Sequence, residues 1–209
     1  MGRADLAAIA QISLSPNHFW RAIYACMAIL KIARMGHPAL LVPAKAVEDP
    51  AAPAMQALVA DMAETLEDAG GVGLAAPQVH VGLRLFIYKV PASRAGDGAD
   101  EVKLTAVFNP VITPVGADMS MGWEGCLSIP GLRAAVPRFD RVHISALDAA
   151  GGKIEKEVTG FEARVIQHEA DHLDGILYTM RMSDFRYFGF TEETLRFEFP
   201  LPTIVRAAP

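Results

Sequence analysis

The sequence predicts an α+β fold in which antiparallel or mixed β-sheets pack around a central helix. Apolar residues recur at helical spacing in two segments, whereas several other segments are short apolar runs bounded by turn residues, which is typical of strands. The 209 residues are 52% hydrophobic and 21% charged, as in ordinary globular domains. A chain of this length can therefore bury a core without disulfides or a structural metal.

The first helix is predicted after a loop of proline and alanine residues that covers positions 43–53. Its apolar residues lie at i, i+3, i+4, i+7 and i+11, and so share one face: Met55, Leu58, Val59, Met62 and Leu66. Acidic residues take the opposite face, and Gly70 and Gly71 are expected to end the helix.

Five strands are predicted next, at positions 83–89, 104–112, 133–138, 141–147 and 153–159. Asn109-Pro110 is expected to interrupt the second of them. A turn at positions 148–152 joins the last two. In the last strand, Ile154 and Val158 are an even number of residues apart, which places both on one face of the sheet.

The second helix is predicted over positions 161–174, with Gly175 at its end. Phe161, Val165, His168 and His172 form its apolar stripe. A short third helix is expected at positions 191–197, in a C-terminal tail that covers 185–209. Residues 1–26 show no clear period and are expected to be a disordered extension. A transit peptide is the alternative there.

Charge, hydropathy and cysteine content exclude several classes of protein. The chain has 19 basic and 24 acidic residues, a net charge of −5, whereas a general nucleic-acid binder usually carries a strongly basic face. No apolar run approaches the roughly 20 residues of a membrane-spanning helix. Cys26 and Cys126 lie far apart and suggest no disulfide framework, so we expect a reducing, cytoplasmic location.

The strongest motif is His168-Glu169-x-x-His172 on the second predicted helix. Residues four apart lie on one helical face, so both imidazoles can reach one metal ion. Glu169 lies about 100° around the helix, where its carboxylate can take a proton from bound water. The pattern is short and also arises by chance, but two histidines on an apolar stripe need partners, which a metal provides.

Two further segments carry candidate site residues. Cys126, within Gly122-Trp-Glu-Gly-Cys-Leu-Ser128, is the natural third ligand, and a Cys/His₂ set suits zinc or ferrous iron. The alternative is a buried, inert thiol. Gln78 closes the small-residue segment Gly71-Val-Gly-Leu-Ala-Ala-Pro-Gln78; it could donate to a developing oxyanion or be a surface amide.

In this order, the three motifs resemble those of the peptide deformylases. The resemblance covers Met27–Asp184, the expected catalytic domain. It implies hydrolysis of the N-formyl group from the initiator methionine of nascent formyl-methionyl polypeptides. The implied metal ligands are Cys126, His168 and His172, and Glu169 is the implied general acid/base. The Gln78 side chain and the Leu127 backbone N–H are the implied oxyanion donors.

The resemblance also implies a substrate site and a metal. Gly73 lies in the segment that pairs with the peptide, and Arg133 matches a basic residue near bound substrate. By spacing, Val72, Phe161 and Val165 are candidates for a methionine pocket. Fe²⁺ is the implied metal, with Zn²⁺, Ni²⁺ or Co²⁺ as replacements. The tail carries as many basic as acidic residues beyond position 184, so ribosome docking through it is doubtful.

Two alternatives differ in testable ways. An HExxH metalloprotease would more often take its third ligand from His or Glu, so metal loss on Cys126→Ala would argue against it. A non-catalytic, metal-stabilised peptide-binding domain would tolerate Glu169→Gln without functional loss.

Overall fold

A computed structural model describes residues 29–96, 100–197 and 200–201 of the chain. Within these residues the α+β prediction is confirmed. The helices are α1 (Pro53–Asp68), α2 (Gly160–Leu173) and α3 (Thr191–Arg196). The strands are β1 (Gly73–Ala75), β2 (Leu85–Val90), β3 (Val102–Pro114), β4 (Met119–Cys126), β5 (Ile129–Phe139), β6 (Arg141–Leu147), β7 (Lys153–Thr159) and β8 (Phe188–Phe190).

The strands form two antiparallel sheets. The larger has the order β1-β2-β3-β6-β7, and the smaller has the order β4-β5-β8. Alternate residues of β2 point to opposite faces of the larger sheet, and both faces are covered. Leu85 and Ile87 belong to the core cluster that contains Met62 of α1, whereas Phe86 belongs to the cluster that contains Ile166 of α2. The larger sheet therefore lies between the two long helices, and burial on both faces explains the continuous apolar run of β2.

Strand β3 continues through Asn109-Pro110, contrary to the interruption predicted there. Asn109 adopts a left-handed backbone conformation with φ of 50°, and the pairing with β6 changes register between Phe108 and Val111. The Asn109 side chain accepts a hydrogen bond from the Val47 N–H and donates one to the Val47 carbonyl, both at 2.8 Å. This local irregularity is a bulge that the strand absorbs without ending.

Strands β1, β4 and β8 were not predicted from the sequence. In β4 the segment Met119-Ser-Met-Gly-Trp-Glu-Gly-Cys126 has no β-branched residue and contains two glycines, so its propensity for a strand is weak although apolar residues alternate over its first half. It is nevertheless paired with β5 from Met119 opposite Phe139 to Gly125 opposite Arg133. Pairing with a neighbour thus determines the conformation of β4, and it places Cys126 at the end of the strand.

The predicted extension at residues 1–26 lies outside the described residues, as does part of the tail. The described helices include none that is both long and apolar enough to cross a membrane. Thr191–Arg196 is helical, close to the predicted bounds of 191–197. The division into an extension, a catalytic domain and a tail stays a prediction.

Candidate metal centre

Three side chains from two parts of the fold converge at the predicted metal site. Helix α2 begins directly after β7 at Gly160, whose φ of 60° is a conformation that favours glycine. About two and three turns later, the helix presents His168 and His172 toward the end of β4. One ligand atom from each of His168, His172 and Cys126 lies within 4.8 Å of the other two. The grouping predicted from sequence therefore exists in the fold.

The distances suit a single ion. Zinc binds sulfur at about 2.3 Å and imidazole nitrogen at about 2.0–2.1 Å, so two such ligands lie at most about 4.4 Å apart. Cys126 Sγ is 3.3 Å from His172 Nε2. His172 is 1% exposed, and its Nδ1 has no hydrogen-bond partner among the described residues. A soft sulfur with two imidazoles is a donor set for zinc or ferrous iron, so these residues fit a metal.

Glu124 orients the first of the two histidines. Its Oε2 lies 2.8 Å from His168 Nδ1, which leaves His168 Nε2 as the nitrogen available to a metal. Burial lowers the pKa of His168, but contacts with Cys126 and Glu124 outweigh burial and hold that pKa well above its ordinary value. Burial lowers the pKa of His172 well below its ordinary value. Metal binding would therefore displace a proton from His168 more than from His172.

Glu124 is itself fixed by two arginines. Arg138 donates to both carboxylate oxygens at 2.9 Å, and Arg164 donates to Oε1 at 2.9 Å. Burial raises the pKa of Glu124, yet the hydrogen bonds from Arg138 and His168 dominate and hold it well below its usual range. Glu124 is therefore an ionised acceptor at neutral pH.

The charge pairs continue through Arg138 to a second acid, Asp171 on α2. Asp171 accepts from Arg138 Nη1 at 2.6 Å and from Arg181 Nη2 at 2.7 Å. We call Glu124, Arg138, Arg164, Asp171 and Arg181 the ion cluster. The sequence motifs assigned no role to Glu124 or Asp171, and the three arginines were not predicted. The available signal was chemical: two acids within a buried motif require cations nearby.

Glu169 lies beside the ligand cluster and is 4% exposed. Burial raises its pKa to about 7. Its Oε2 is buried and has no hydrogen-bond partner among the described residues. A side chain at Gly73 would collide with the Glu169 carboxylate, so glycine at that position makes room for it. Gly73 thus has a packing role that its predicted role in substrate pairing did not include.

The Gln78 amide is buried rather than on the surface, since the residue is only 1% exposed. Its Oε1 accepts from the Ala75 N–H at 2.8 Å, which fixes which end of the amide carries the donors. Its Nε2 lies 3.1 Å from Ser128 Oγ and 3.4 Å from Cys126 Sγ. The Gln78 donors therefore face the candidate metal ligands.

A cavity of about 460 Å³ opens onto this site. The predicted residues that line it are Val72, Gly73, Gln78, Cys126, Leu127, Phe161, Val165, His168 and Glu169. Arg133 does not line the cavity; its guanidinium carbon lies 4.2 Å from the ring centroid of Trp123, which does. His172 lies deeper, behind the cavity wall. The site residues stay predictions in their catalytic roles, but the fold brings all of them except Arg133 to one place.

Comparisons with known proteins agree with this geometry. A sequence model of the polypeptide deformylase family matches residues 29–187. The chain is 48% identical over 164 residues to peptide deformylase 1 of Nitrosomonas europaea, a match that covers 78% of this chain and 93% of that protein. It is 44% identical over 169 residues to peptide deformylase 1 of Prochlorococcus marinus, with coverage of 80% and 88%.

Solved structures give the same result. The class I type b peptide deformylase of Acinetobacter baumannii bound to Met-Ala-Ser superimposes with a TM-score of 0.68 at 36% identity, covering 75% of this chain and 99% of that one. The Ehrlichia chaffeensis peptide deformylase in complex with actinonin gives a TM-score of 0.70 at 31% identity, covering 77% and 92%. Neither the metalloprotease nor the non-catalytic alternative is favoured. The chain therefore belongs to the polypeptide deformylase family, a family of metal-dependent hydrolases.

Proposed function

We propose that this enzyme hydrolyses the N-formyl group of the initiator methionine on nascent polypeptides and releases formate. The observation that carries the proposal is the buried Glu169 carboxyl beside the Cys126, His168 and His172 cluster, at the wall of a cavity. A formamide is small enough for its carbonyl carbon to reach such a recessed site.

Glu169 is the general acid/base. Cys126, His168 and His172 would hold a divalent ion, which would supply a Lewis acid and would lower the pKa of bound water toward about 7. Glu169 accepts the water proton as the carbon–oxygen bond forms, and it passes that proton to the leaving amine as the carbon–nitrogen bond breaks. Without the ion, the Glu169 pKa of about 7 already suits a group that must both take and give a proton near neutral pH.

Gln78 and Leu127 stabilise the negative charge that develops on the formyl oxygen. The Ala75 N–H holds Gln78 Oε1, so Gln78 Nε2 is directed at the site without reorganisation. Leu127 lies in the two-residue connection between β4 and β5 and contributes its backbone N–H. One preorganised donor of this kind typically contributes about 3–4 kcal/mol to stabilisation of the transition state.

The substrate binds by its methionine side chain and its backbone. Val72, Phe161 and Val165 line the part of the cavity proposed for the methionine side chain. The peptide adds as a strand along the segment that contains Gly73, and Arg133 lies near its downstream residues. Main-chain pairing tolerates varied sequences after methionine, as a general processing enzyme requires.

Fe²⁺ is the proposed resident metal, with Zn²⁺, Ni²⁺ or Co²⁺ as substitutes, in a cytoplasmic enzyme. Thiolate-bound iron beside an open cavity exposes both the metal and Cys126 to oxidation, whereas zinc has no redox chemistry. Loading the same metal-free protein with each ion tests this. Iron-loaded enzyme should lose activity in air but not under argon, and equal lifetimes in air would contradict iron at Cys126.

The decisive experiment measures formate release from formyl-Met-Ala-Ser together with metal content. The native enzyme should release formate with one metal per chain, and Cys126→Ser should lose most of both. Full metal occupancy in Cys126→Ser would contradict the ligand assignment. Absence of formate release by the native, metal-loaded enzyme would contradict the reaction.

A further inference from the structure

Arg164 connects the cavity wall with the hydrogen bonds around a metal ligand. It lies on α2 one turn before His168, lines the cavity, and its side chain is 12% exposed. Its Nη1 donates to Glu124 Oε1 at 2.9 Å and to the Val136 carbonyl at 2.8 Å, and its Nη2 donates to the Ser120 carbonyl at 2.9 Å. One side chain thus ties α2 to both β4 and β5.

Two short contacts lead from Arg164 to the ligand His168. Arg164 holds Glu124 Oε1, and Glu124 Oε2 contacts His168 Nδ1 at 2.8 Å. Arg138 donates to the same carboxylate through Nε and Nη2 but does not line the cavity. Arg164 is therefore the arginine that holds Glu124 from the cavity side. Loss of a partner that orients a ligating histidine typically lowers metal affinity by about 10- to 100-fold.

Gly122 on β4 lies against this arginine, whose guanidinium occupies the space that a side chain at position 122 would need. A Cβ at Gly122 would lie 2.6 Å from Arg164 Nε and 2.7 Å from Nη2, closer than real side chains approach. The Gly122 backbone is outside the left-handed region, so its conformation does not require glycine. The three atoms nearest to such a Cβ all belong to the Arg164 guanidinium.

We propose that Arg164 is a positioning residue of the metal site, which fixes the Glu124 carboxylate against His168, and that Gly122 is glycine because the guanidinium occupies its side-chain space. The inference rests on the proposed metal site. It adds a residue pair, Arg164 and Gly122, that acts through Glu124 without touching the metal.

Metal affinity tests the arginine directly. The full-length protein is stripped of metal and titrated with Zn²⁺ against a competing chromophoric chelator. Arg164→Met should weaken Zn²⁺ binding by about 10- to 100-fold. Arg164→Lys should weaken it less, because the charge remains while the planar fork is lost. Arg181→Met is the matched control, since Arg181 pairs with Asp171 and contacts neither Glu124 nor the cavity; its Zn²⁺ affinity should stay within about two-fold of wild type.

The glycine provides a double-mutant cycle. Gly122→Ala should weaken Zn²⁺ binding in the wild-type background, because the new methyl group displaces the guanidinium. In the Arg164→Met background the same change should have little effect, because the collision is gone. Gly122→Ala with Arg164 intact also serves if Arg164→Met does not fold.

The outcomes separate this inference from the proposed function. A wild-type chain that binds no Zn²⁺ contradicts the metal site itself. A wild-type chain that binds Zn²⁺, with Arg164→Met or Gly122→Ala binding it equally well, overturns the positioning role even if the melting temperature falls. Equal Gly122→Ala effects in both backgrounds overturn the explanation of the glycine.

Discussion

Two buried carboxylates of the candidate metal centre, Glu124 on β4 and Glu169 on α2, have opposite electrostatic environments. They are similarly buried, at 6% and 4% exposure. Glu124 accepts from Arg138 and Arg164 and has a lowered pKa, whereas burial of Glu169, with Oε2 unpartnered among the described residues, raises its pKa to about 7. Burial is thus nearly the same for both, and the partners decide the sign. The fold holds Glu124 ionised against His168 and leaves Glu169 with a pKa at which it can exchange a proton near neutral pH.

The largest expected effect tests the proton-exchanging acid. Glu169→Ala should lower kcat for formyl-Met-Ala-Ser by at least about 10²-fold, because no described group replaces the general base. Metal content and melting temperature should stay close to wild type, since Glu169 is not a proposed ligand. Near-normal formate release by a metal-loaded variant would refute the assigned role. Loss of metal would instead indicate that Glu169 helps to hold the ion.

The next effect tests the paired acid. Arg138→Met should destabilise the protein by about 3–5 kcal/mol, because it leaves Glu124 and Asp171 buried with fewer counter-charges. Denaturant unfolding of the metal-free protein measures it without interference from metal binding. Arg141→Met is the control: that arginine is exposed and its contact with Glu157 is long, at 3.9 Å, so the variant should lose less than about 1 kcal/mol. Similar losses for both variants would mean that the buried pairs contribute no more than a surface pair.

Site residues that are close together in sequence could be predicted, whereas the charged partners of Glu124 could not. His168 and His172 are four residues apart on one helix, so local periodicity was enough to place them together. Cys126 and Gln78 followed from their motifs. Arg138 and Arg164 were missed because their partner Glu124 is 14 and 40 residues away, and no local pattern encodes such pairs.

The same limit applies to the fold. The helices and strands with clear periodicity were predicted to within a few residues, and β7 at Lys153–Thr159 was predicted with its observed bounds. Strand β4 was missed because two glycines and the lack of β-branched residues masked the alternation of its apolar residues. Strand β3 was predicted as interrupted because the hydrogen bonds that hold Asn109 come from Val47, 62 residues away. Elements that depend on distant partners need the tertiary structure to be seen.

A smaller effect uses pH to separate the two acids in the metal-free protein. The pKa of Glu124 is lower in the folded chain, so its stabilisation is complete above the unfolded value of about 4.3 and is lost as pH falls below it. The pKa of Glu169 is raised, so the folded chain holds that proton more tightly, and stability is lost as pH rises from about 4.3 to about 7. The two contributions therefore occupy separate pH windows.

Isosteric amides should reveal those windows. Glu169→Gln should be more stable than wild type above pH 7, by on the order of 3 kcal/mol, and the difference should disappear near pH 4. Glu124→Gln should be less stable than wild type at pH 7, and its deficit should shrink as pH falls below about 4. Denaturant midpoints measured in a chelating buffer from pH 3 to 9 provide the comparison. If the denaturant midpoints of both variants ran parallel to those of wild type at all pH values, the two acids would not differ in their electrostatic contribution to stability.

The smallest expected effect concerns residues 1–26, which lie outside the described residues. The family match begins at residue 29, and every proposed site residue lies between Val72 and His172. The described chain is already anchored near its start, because the Leu30 N–H donates to Thr65 Oγ1 at 2.9 Å and the Ala33 N–H to the Gln78 carbonyl at 2.7 Å. A chain that begins at Met27 keeps both contacts, and the second of them holds the turn that carries Gln78. Its kcat/KM for formyl-Met-Ala-Ser should therefore stay within about two-fold of the full chain, whereas a chain that begins at Arg34 should lose activity with the Ala33 contact. A large fall in kcat/KM for the Met27 chain, with metal still bound, would show that the extension takes part in catalysis or substrate binding.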